Sequence, residues 1–340
     1  MEIIDFRSDT VTRPTPGMRQ AMAEAQVGDD VFGEDPGINE LEQKAADLFG
    51  MEAGLFCPSG TMTNQVAIKV HTQPGDEVIC DELSHVYQYE GGGIAFNAGA
   101  SVRLLHGDRG RITARQVEAS INPDDVHKAH SRLVVLENTS NRGGGSCYQL
   151  AEIEAIQAVC RDHRLGLHLD GARLFNALVA TGQRAPDYGR LFDSISICLS
   201  KGLGCPVGSV LVGANDFIRK ARRVRKVLGG GMRQAGFLAA AGIYALDHHI
   251  ERLAEDHQHA RWLEEAVRSN PLVETVLPVE TNILLFNLKE GMPAKAFTEK
   301  LRQKGILAYA MGPQQIRLVV HLDISSAMVN RAAEQLVSLR

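Results

Sequence analysis

Short apolar runs alternate along this chain with longer stretches whose apolar residues recur at helical spacing. The apolar runs are nearly continuous, which is typical of strands covered on both faces, and they occupy residues 53–58, 76–80, 101–105, 132–138, 165–170, 194–200 and 208–213. One helical stretch, INELEQKAADLFG, ends on Gly50, and glycine often terminates helices. This alternation predicts an α/β fold with a mostly parallel central sheet.

The pattern changes in the last third of the chain. Apolar spacing from Arg233 to Arg268 predicts one long helix or two abutting helices. Beyond it, strands and helices alternate in an α+β arrangement over residues 281–288, 293–305, 315–322 and 326–339. We therefore predict a large domain over residues 1–245, which begins with an N-terminal arm over residues 1–35, and a small C-terminal α+β domain over residues 246–340.

Composition and charge narrow the class of function. The chain has 340 residues and a net charge of -5 at pH 7, and it lacks the basic excess that nucleic-acid binding requires. Its longest apolar segment, GFLAAAGIYAL, is shorter than the roughly 20 residues of a membrane span, and the first residues show no secretory pattern. The six cysteines form no C-x-x-C pair, so we expect them to be reduced and mostly buried. We expect a cytoplasmic protein that acts on a small molecule and binds neither nucleic acid nor a membrane.

The first feature that could carry chemistry is Ser59-Gly60-Thr61, where a predicted strand runs into a helix. Backbone N–H groups at a helix N-terminus, two hydroxyls and a glycine form a site suited to a phosphate. The alternative is an ordinary helix cap, which by itself explains the serine and the threonine equally well.

Asp170 and Lys201 are the second and third features. Asp170 ends a predicted strand, where open α/β sheets bind their ligands, although it could also cap the next helix. Lys201 follows the apolar strand SISICLS, an unusual place for a lysine. Together with the phosphate site, these residues match the needs of pyridoxal phosphate. That cofactor requires a phosphate anchor, an anion beside its ring nitrogen and an amine that forms a Schiff base.

Six segments at these positions also resemble one known family. They are DFRSDTVTRPT, GDDVFGEDP, PSGTMTN, LHLDGARLFNA, SICLSKGLGCPVGS and RKVLGGGMRQAG. The sequence is similar to the L-threonine aldolases, pyridoxal-phosphate enzymes of the aspartate aminotransferase-like fold (fold type I), and the resemblance covers nearly the whole chain. It implies retro-aldol cleavage of β-hydroxy-α-amino acids such as L-threonine and L-allo-threonine to glycine and an aldehyde.

The resemblance also implies a set of cofactor contacts, namely Ser59, Gly60, Thr61, His85, Asp170, Arg173, Lys201 and Arg233. Lys201 matches the lysine of the Schiff base, and Asp170 matches the partner of the ring nitrogen. His85 matches a histidine that stacks on the ring and can exchange a proton with the substrate hydroxyl. His127 matches a second histidine near that hydroxyl, and its neighbour His130 competes for the role.

The family binds the substrate carboxylate through residues that match Ser8, Arg173 and Arg317. A guanidinium suits a carboxylate because its donors form a planar fork. Without the resemblance, Arg317 would be interpreted as a solvated charge at a strand edge and Ser8 as part of a local turn. Arg233 matches an arginine that reaches the cofactor phosphate of a neighbouring subunit. We therefore expect a homodimer, paired into a dimer of dimers, with active sites at the subunit interface.

One segment departs from the family. In ENTSNRGGGSCYQ, Ser140 stands where the family commonly has a histidine, and three glycines follow. We expect this change to reshape the loop over the substrate.

Other functions remain as alternatives. Another pyridoxal-phosphate lyase or racemase would share the lysine, the aspartate and the phosphate site. A nicotinamide enzyme is disfavoured because no G-x-G-x-x-G follows the first strands. A metal hydrolase is suggested only by the histidines of DHHIERLAEDHQH, which lack H-E-x-x-H spacing and which we interpret as a solvated helix face. A non-catalytic binding protein would lack a chromophore and would tolerate the loss of Lys201.

Overall fold

The computed structural model describes residues 2–340. Its strands are β1 (Ile4–Asp5), β2 (Ala53–Cys57), β3 (Asp76–Asp81), β4 (Ser101–Leu105), β5 (His130–Glu137), β6 (Gly166–Gly171), β7 (Ser194–Cys198), β8 (Ser209–Gly213), β9 (Val273–Val276), β10 (Ile283–Leu288), β11 (Ile306–Leu307), β12 (Tyr309–Ala310) and β13 (Gln315–Val319). Its α-helices are α1 (Pro16–Ala23), α2 (Pro36–Phe49), α3 (Gly60–His71), α4 (His85–Gln88), α5 (Ala114–Ser120), α6 (Leu150–Asp162), α7 (Leu174–Thr181), α8 (Ala185–Gly189), α9 (Asn215–Val227), α10 (Gly236–His248), α11 (Leu253–Arg268), α12 (Ala294–Gln303) and α13 (Ser326–Ser338).

The large sheet contains the seven strands that the sequence predicts, in the order β2-β8-β7-β6-β5-β3-β4. Strand β8 is antiparallel to both of its neighbours, whereas the pairings among β7, β6, β5, β3 and β4 are parallel. The prediction of a mostly parallel sheet is therefore confirmed. Because β2 runs in the same direction as β7, the carboxyl ends of six strands lie at one edge of the sheet.

Local sequence explains why the helix before this sheet begins and ends where it does. The side chain of Asp35 accepts a hydrogen bond from the backbone N–H of Ile38, and Pro36 occupies the first turn of α2. At the other end, Gly50 has a φ of 63°, a left-handed conformation that glycine adopts without a steric cost. The predicted helix end at Gly50 is confirmed.

A second, antiparallel sheet with the order β12-β13-β10-β9 forms the C-terminal part of the molecule. Helices α11, α12 and α13 contribute to the apolar core around it. Ile4 and Phe6 of the N-terminal arm belong to the same core, and β1 pairs with β11. The predicted boundary after residue 245 stays a prediction, and the helical region from Arg233 to Arg268 consists of two helices, α10 and α11.

The interpretation of the histidine-rich segment as a solvated helix face holds for the exposed His248 and is wrong for the other three histidines. His249, at the end of α10, is buried with Nδ1 2.7 Å from the backbone oxygen of Leu203, and His257 and His259 are buried because α11 packs against both α7 and α13. His257 Nε2 lies 3.0 Å from Asn176 Oδ1, and His259 Nε2 lies 3.0 Å from Ser326 Oγ. These histidines therefore have structural partners in the core.

The cysteines agree with the sequence prediction, since the six free thiols are all buried. They are Cys57, Cys80, Cys147, Cys160, Cys198 and Cys205. Among residues 2–340, no helix combines the length and the apolar character that a bilayer crossing requires.

Candidate active site

Two adjoining cavities open at the carboxyl edge of the large sheet. The inner cavity, of about 190 Å³, is lined by residues that include Gly60, Thr61, Asn64, His85, Asp170, Cys198 and Lys201. The outer cavity, of about 200 Å³, is lined by residues that include Ser8, His85, Glu137, Asn141, Arg173, Lys201, Tyr309 and Arg317. Lys201 and His85 line both cavities, so each side chain can serve a ligand in either one.

The start of α3 forms one end of the inner cavity. The Ser59 hydroxyl accepts a hydrogen bond from the backbone N–H of Met62 at 3.2 Å, so it caps the helix. A Cβ built on Gly60 would come no closer than 3.7 Å to another atom, and that atom is Cys198 Sγ. The helix N-terminus therefore faces open space, and its N–H groups can bind a phosphate there together with Thr61.

Asp170 supplies a negative charge to the inner cavity. The side chain is buried, and Oδ1 accepts a hydrogen bond from the backbone N–H of Ala172 at 3.0 Å. Oδ2 accepts a second bond from Asn64 Nδ2 at 2.8 Å. These two donors fix the orientation of the carboxylate, which suits it to pair with a protonated ring nitrogen.

His85 begins α4 and points a ring nitrogen at a buried acid. Its Nδ1 lies 2.9 Å from Glu90 Oε1, and its ring lies 5.6 Å from the ring of Tyr89. Burial lowers the pKa of His85, but the hydrogen bond with Glu90 and the charge of Asp170 outweigh burial and raise the pKa above its ordinary value. The sequence analysis missed Glu90, because it follows a short helix rather than a strand.

Glu137 is a second acid that the sequence analysis missed. It is the last residue of β5, Asp170 is the last but one of β6, and these two residues are direct neighbours in the sheet register. Its oxygens accept hydrogen bonds from the backbone N–H groups of His85, at 2.7 Å, and Asn141, at 2.9 Å. Burial, followed by the nearby charge of Asp170, raises the pKa of Glu137 to about 7. The strand-end criterion that singled out Asp170 could also have found it.

Arg173 lies in the outer cavity and is held by Asp9, a residue that the sequence analysis also missed. Nε and Nη2 of the guanidinium each donate to a different carboxylate oxygen of Asp9 at 2.7 Å. Burial raises the pKa of Asp9, but the charge and hydrogen bonds of Arg173 outweigh it and lower the pKa to about 2. The pair fixes the guanidinium and leaves Nη1 for a ligand.

Arg317 extends from β13 into the outer cavity. Its Nη1 donates to Asn141 Oδ1 at 2.7 Å and its Nη2 to the backbone oxygen of Arg7 at 3.0 Å. Its Nε is buried and finds no hydrogen-bond partner among residues 2–340. Burial, together with the positive charge of Arg173, lowers the pKa of Arg317 to about 10. An incoming carboxylate would relieve the like-charge repulsion between the two guanidinium groups.

Ser8 lies at the wall of the outer cavity, where its hydroxyl accepts a hydrogen bond from the backbone N–H of Thr10 at 3.2 Å. The structure thus brings the three predicted carboxylate-binding residues, Ser8, Arg173 and Arg317, to one cavity. A hydroxyl beside two guanidinium groups is suited to binding a carboxylate.

His127 and Arg233 lie outside both cavities of the single chain. The His127 side chain is 84% exposed, and its Nδ1 lies 2.8 Å from Asp125 Oδ1. Arg233 is about half exposed and pairs with Asp29 at 2.8 Å. Their predicted roles stay predictions, and a role for either residue would require a second copy of the chain or a movement of its segment.

The segment that departs from the family forms a tight loop, the glycine loop, over residues 140–146. Gly144 and Gly145 have φ angles of 76° and 74°, and Thr281 Oγ1 donates to the backbone oxygen of Gly145 at 3.1 Å. The loop presents Asn141, which contacts both Glu137 and Arg317. The glycine loop thus places Asn141 in the wall of the outer cavity, and the expected reshaping relative to the family stays a prediction.

The inner cavity fits pyridoxal phosphate by the chemistry of its donors. It has a helix N-terminus for the phosphate, the Asp170 carboxylate for the ring nitrogen and the Lys201 amine for the aldehyde carbon. The buried Asp170 carboxylate in particular calls for a cationic partner inside the cavity.

Comparison with known proteins extends this picture. The beta-eliminating lyase family model matches residues 5–291 of the chain. The low specificity L-threonine aldolase of Escherichia coli (strain K12) is 43% identical over 332 residues, which cover 97% of each chain. A solved threonine aldolase structure from Leishmania major has a TM-score of 0.87 at 24% identity and covers 98% of each chain. An Escherichia coli protein with a methionine aminotransferase function has a TM-score of 0.77 at 20% identity, over 99% of this chain and 94% of its own. These likenesses confirm the predicted aspartate aminotransferase-like fold.

Proposed function

The chain belongs to the beta-eliminating lyase family, and we propose that it is a pyridoxal-phosphate-dependent aldolase. It cleaves L-threonine, L-allo-threonine and related β-hydroxy-α-amino acids to glycine and an aldehyde. The observation that carries this proposal is the position of Lys201, which lines both an inner cavity suited to the cofactor and an outer cavity suited to an amino-acid carboxylate.

The residues of the inner cavity would hold the cofactor. Gly60 and Thr61 would bind its phosphate, Asp170 its ring nitrogen, and Lys201 its aldehyde carbon. His85 would lie beside the ring, since it lines the same cavity. When bound, the cofactor supplies an electron sink for the pair released from the Cα–Cβ bond.

Ser8, Arg173 and Arg317 would orient the substrate. Arg173 would use Nη1, which its pair with Asp9 leaves available, and Arg317 would use the N–H groups of Nη1 and Nη2 that its single bonds to Asn141 and Arg7 leave over. A substrate whose carboxylate is bound by two guanidinium groups cannot rotate freely. Its Cα–Cβ bond can therefore be held perpendicular to the cofactor ring. That alignment selects which bond breaks.

His85 is our choice for the base that removes the β-hydroxyl proton. Its Nδ1 faces the Glu90 carboxylate, which as an acceptor favours a proton on Nδ1. Nε2 then carries the lone pair, as a base requires. His127 remains a second prediction for this role, but within one chain it is exposed and lies outside the cavities.

We also propose that the active sites are shared in a homodimer that pairs into a dimer of dimers. An apolar and basic surface beside Arg233 supports this proposal, because Phe32 and Val227 are 74% and 84% exposed. The guanidinium of Arg233 lies 5.9 Å from the ring of Phe32, so the two side chains share this surface. The cytoplasmic location expected from the sequence stays a prediction.

Product analysis tests the proposed reaction against its nearest rivals. With L-threonine and added pyridoxal phosphate, we expect equal amounts of glycine and acetaldehyde. A 2-oxo acid with ammonia would instead identify β-elimination, and D-allo-threonine without cleavage would identify inversion at Cα by a racemase. Either of these as the main product would overturn the aldolase proposal while leaving the cofactor assignment in place.

A further inference from the structure

A chain of hydrogen bonds leaves the inner cavity through the core of the large sheet. From Asp170 it continues to Asn64, and Asn64 Oδ1 lies 3.2 Å from His168 Nε2. His168 Nδ1 lies 2.8 Å from Ser194 Oγ, and Ser194 Oγ lies 2.8 Å from His71 Nε2. We call these four residues beyond Asp170 the donor chain. No step of the proposed reaction uses them, yet they are linked directly to the carboxylate on which the cofactor would depend.

The orientation of the Asn64 amide is fixed by its acidic neighbours. Its Nδ2 lies 2.8 Å from Asp170 Oδ2 and 2.9 Å from Glu90 Oε1, so both amide hydrogens are used. The flipped amide would place an oxygen against two carboxylate oxygens, which accept hydrogen bonds and repel one another. Asn64 Oδ1 must therefore face His168 as an acceptor.

The tautomers of the two histidines follow from that orientation. His168 is fully buried, and burial lowers its pKa to about 3, so the ring is neutral and carries a single proton. That proton must be on Nε2 to meet Asn64 Oδ1, which leaves Nδ1 to accept from the Ser194 hydroxyl. The hydroxyl has no second hydrogen, so His71 Nε2 donates to Ser194 Oγ.

We propose that the donor chain orients Asn64 and strengthens its hydrogen bond to the Asp170 carboxylate, and that His168 is a positioning residue acting on that carboxylate through Asn64. One N–H or O–H of each residue in the chain points towards Asp170, so these dipoles add and strengthen the final bond to the carboxylate. A carboxylate that is held in place by such a donor can pair with a protonated ring nitrogen of the cofactor. This last step rests on the proposed function, which assigns Asp170 to that nitrogen.

A competing arrangement makes the proposal testable. His168 Nδ1 also lies 3.1 Å from the backbone oxygen of Ser194, and a proton on Nδ1 would donate there. Nε2 would then turn its lone pair towards Asn64 Oδ1, and the chain would no longer polarise the bond to Asp170. The two arrangements differ in which nitrogen of His168 carries the proton and in where the Ser194 hydroxyl donates.

Nitrogen NMR on cofactor-free protein labelled with ¹⁵N-histidine distinguishes the two arrangements. We expect the Nε2–H tautomer for His168, whose signals are identified by their loss in His168→Gln, and the same tautomer for His71. An Nδ1–H signal from His168 would overturn the donor chain, whatever the protein catalyses.

Affinity for pyridoxal phosphate tests the effect on Asp170. In His168→Gln the side-chain amide can reach the place of Nε2 and donate to Asn64, whereas the shorter amide of His168→Asn reaches only the place of Nδ1. We expect the dissociation constant to stay within about twofold in His168→Gln and to rise about tenfold in His168→Asn, a difference of about 1.4 kcal/mol. His259→Asn, a change at a buried histidine of the C-terminal core, is the matched control and should leave the affinity unchanged.

Two more variants separate failure of this proposal from failure of the proposed function. Asp170→Asn should weaken pyridoxal phosphate binding more than any donor-chain variant, and an unchanged affinity there would contradict the cofactor assignment itself. If Asp170→Asn behaves as expected but the two His168 variants bind pyridoxal phosphate equally well, the donor chain alone is overturned.

If His168→Asn does not fold, Ser194→Ala replaces it, since Ser194→Ala removes only one hydroxyl. A rise of about threefold is expected for Ser194→Ala, and an unchanged dissociation constant would contradict the proposal.

Discussion

Asp9 and Arg173 lie 164 residues apart in the sequence, and their buried pair fixes how the guanidinium meets the outer cavity. Because Arg173 lowers the pKa of Asp9 to about 2 despite burial, the carboxylate is ionised across the neutral range. The arginine thus keeps a fixed geometry before substrate arrives, which reduces the ordering that substrate binding must impose.

Replacing Asp9 with asparagine should weaken both the fold and substrate binding. The change leaves the Arg173 charge buried without its partner, a loss that typically costs about 3–5 kcal/mol. We expect a lower melting temperature and a rise of at least about tenfold in KM for L-threonine. Asp5→Asn is the control, because Asp5 pairs with the half-exposed Arg7 and such pairs contribute about 0–1 kcal/mol. Equal behaviour of the two variants would contradict the role of the pair.

Glu137 gives a pH dependence with a defined sign. Its pKa is raised to about 7 from 4.5, so between these values the folded protein binds more protons than the unfolded chain. The unfolding free energy of the cofactor-free protein should therefore fall as pH rises from about 4.5 to 7. In Glu137→Gln this part of the pH dependence should vanish, and chemical denaturation at a series of pH values measures it. If the unfolding free energy changes with pH equally in both proteins, Glu137 is not the source.

At the scale of elements, the glycine loop connects the two sheets. Its residues 140–146 follow β5 of the large sheet, and Thr281, just before β10 of the small sheet, donates to Gly145. Arg109 also donates to the backbone oxygen of Gly143 at 2.9 Å. The position of Asn141, and through it of Arg317, therefore depends on contacts from distant parts of the chain.

Gly145→Ala should disturb substrate binding more than its effect on stability alone would suggest. A Cβ at Gly145 would lie 2.3 Å from Thr281 Oγ1, and the φ of 74° is itself unfavourable for alanine. We expect an increased KM for L-threonine. Gly182→Ala is the matched control, because its φ is 70° but a Cβ there meets nothing within 4 Å. The control should lose stability without a change in KM, and a shift of KM in both variants would contradict the assignment to the loop.

Periodicity predicted the large sheet well, because strands buried on both faces leave near-continuous apolar runs in the sequence. The same reasoning failed for α11, whose polar histidines are buried against two neighbouring helices. Asp9 and Asn64 were missed for a related reason, since their partners Arg173 and Asp170 lie more than a hundred residues away. Local patterns do not reveal pairings that only the folded chain brings together.

At the scale of the whole molecule, both cavities lie at one edge of the large sheet. Arg233 does not line either of them. If a neighbouring subunit supplies this arginine to the cofactor phosphate, Arg233→Ala should raise the dissociation constant of pyridoxal phosphate about tenfold. Arg219→Ala is the control, because Arg219 is also exposed and paired with an aspartate, Asp216. Equilibrium titrations, with light scattering to measure the oligomer, give the readout. Equal affinities in the two variants would contradict a shared site.

The central claim is that the Lys201 amine links the two cavities in a single reaction. The most direct measurement compares acetaldehyde release from L-threonine by the wild-type protein and by Lys201→Ala, both saturated with pyridoxal phosphate. We predict steady acetaldehyde release by the wild type and a rate at least about a thousandfold lower in Lys201→Ala. The reason is that, among residues 2–340, no other lysine lines the inner cavity. Retained turnover in Lys201→Ala would contradict the account.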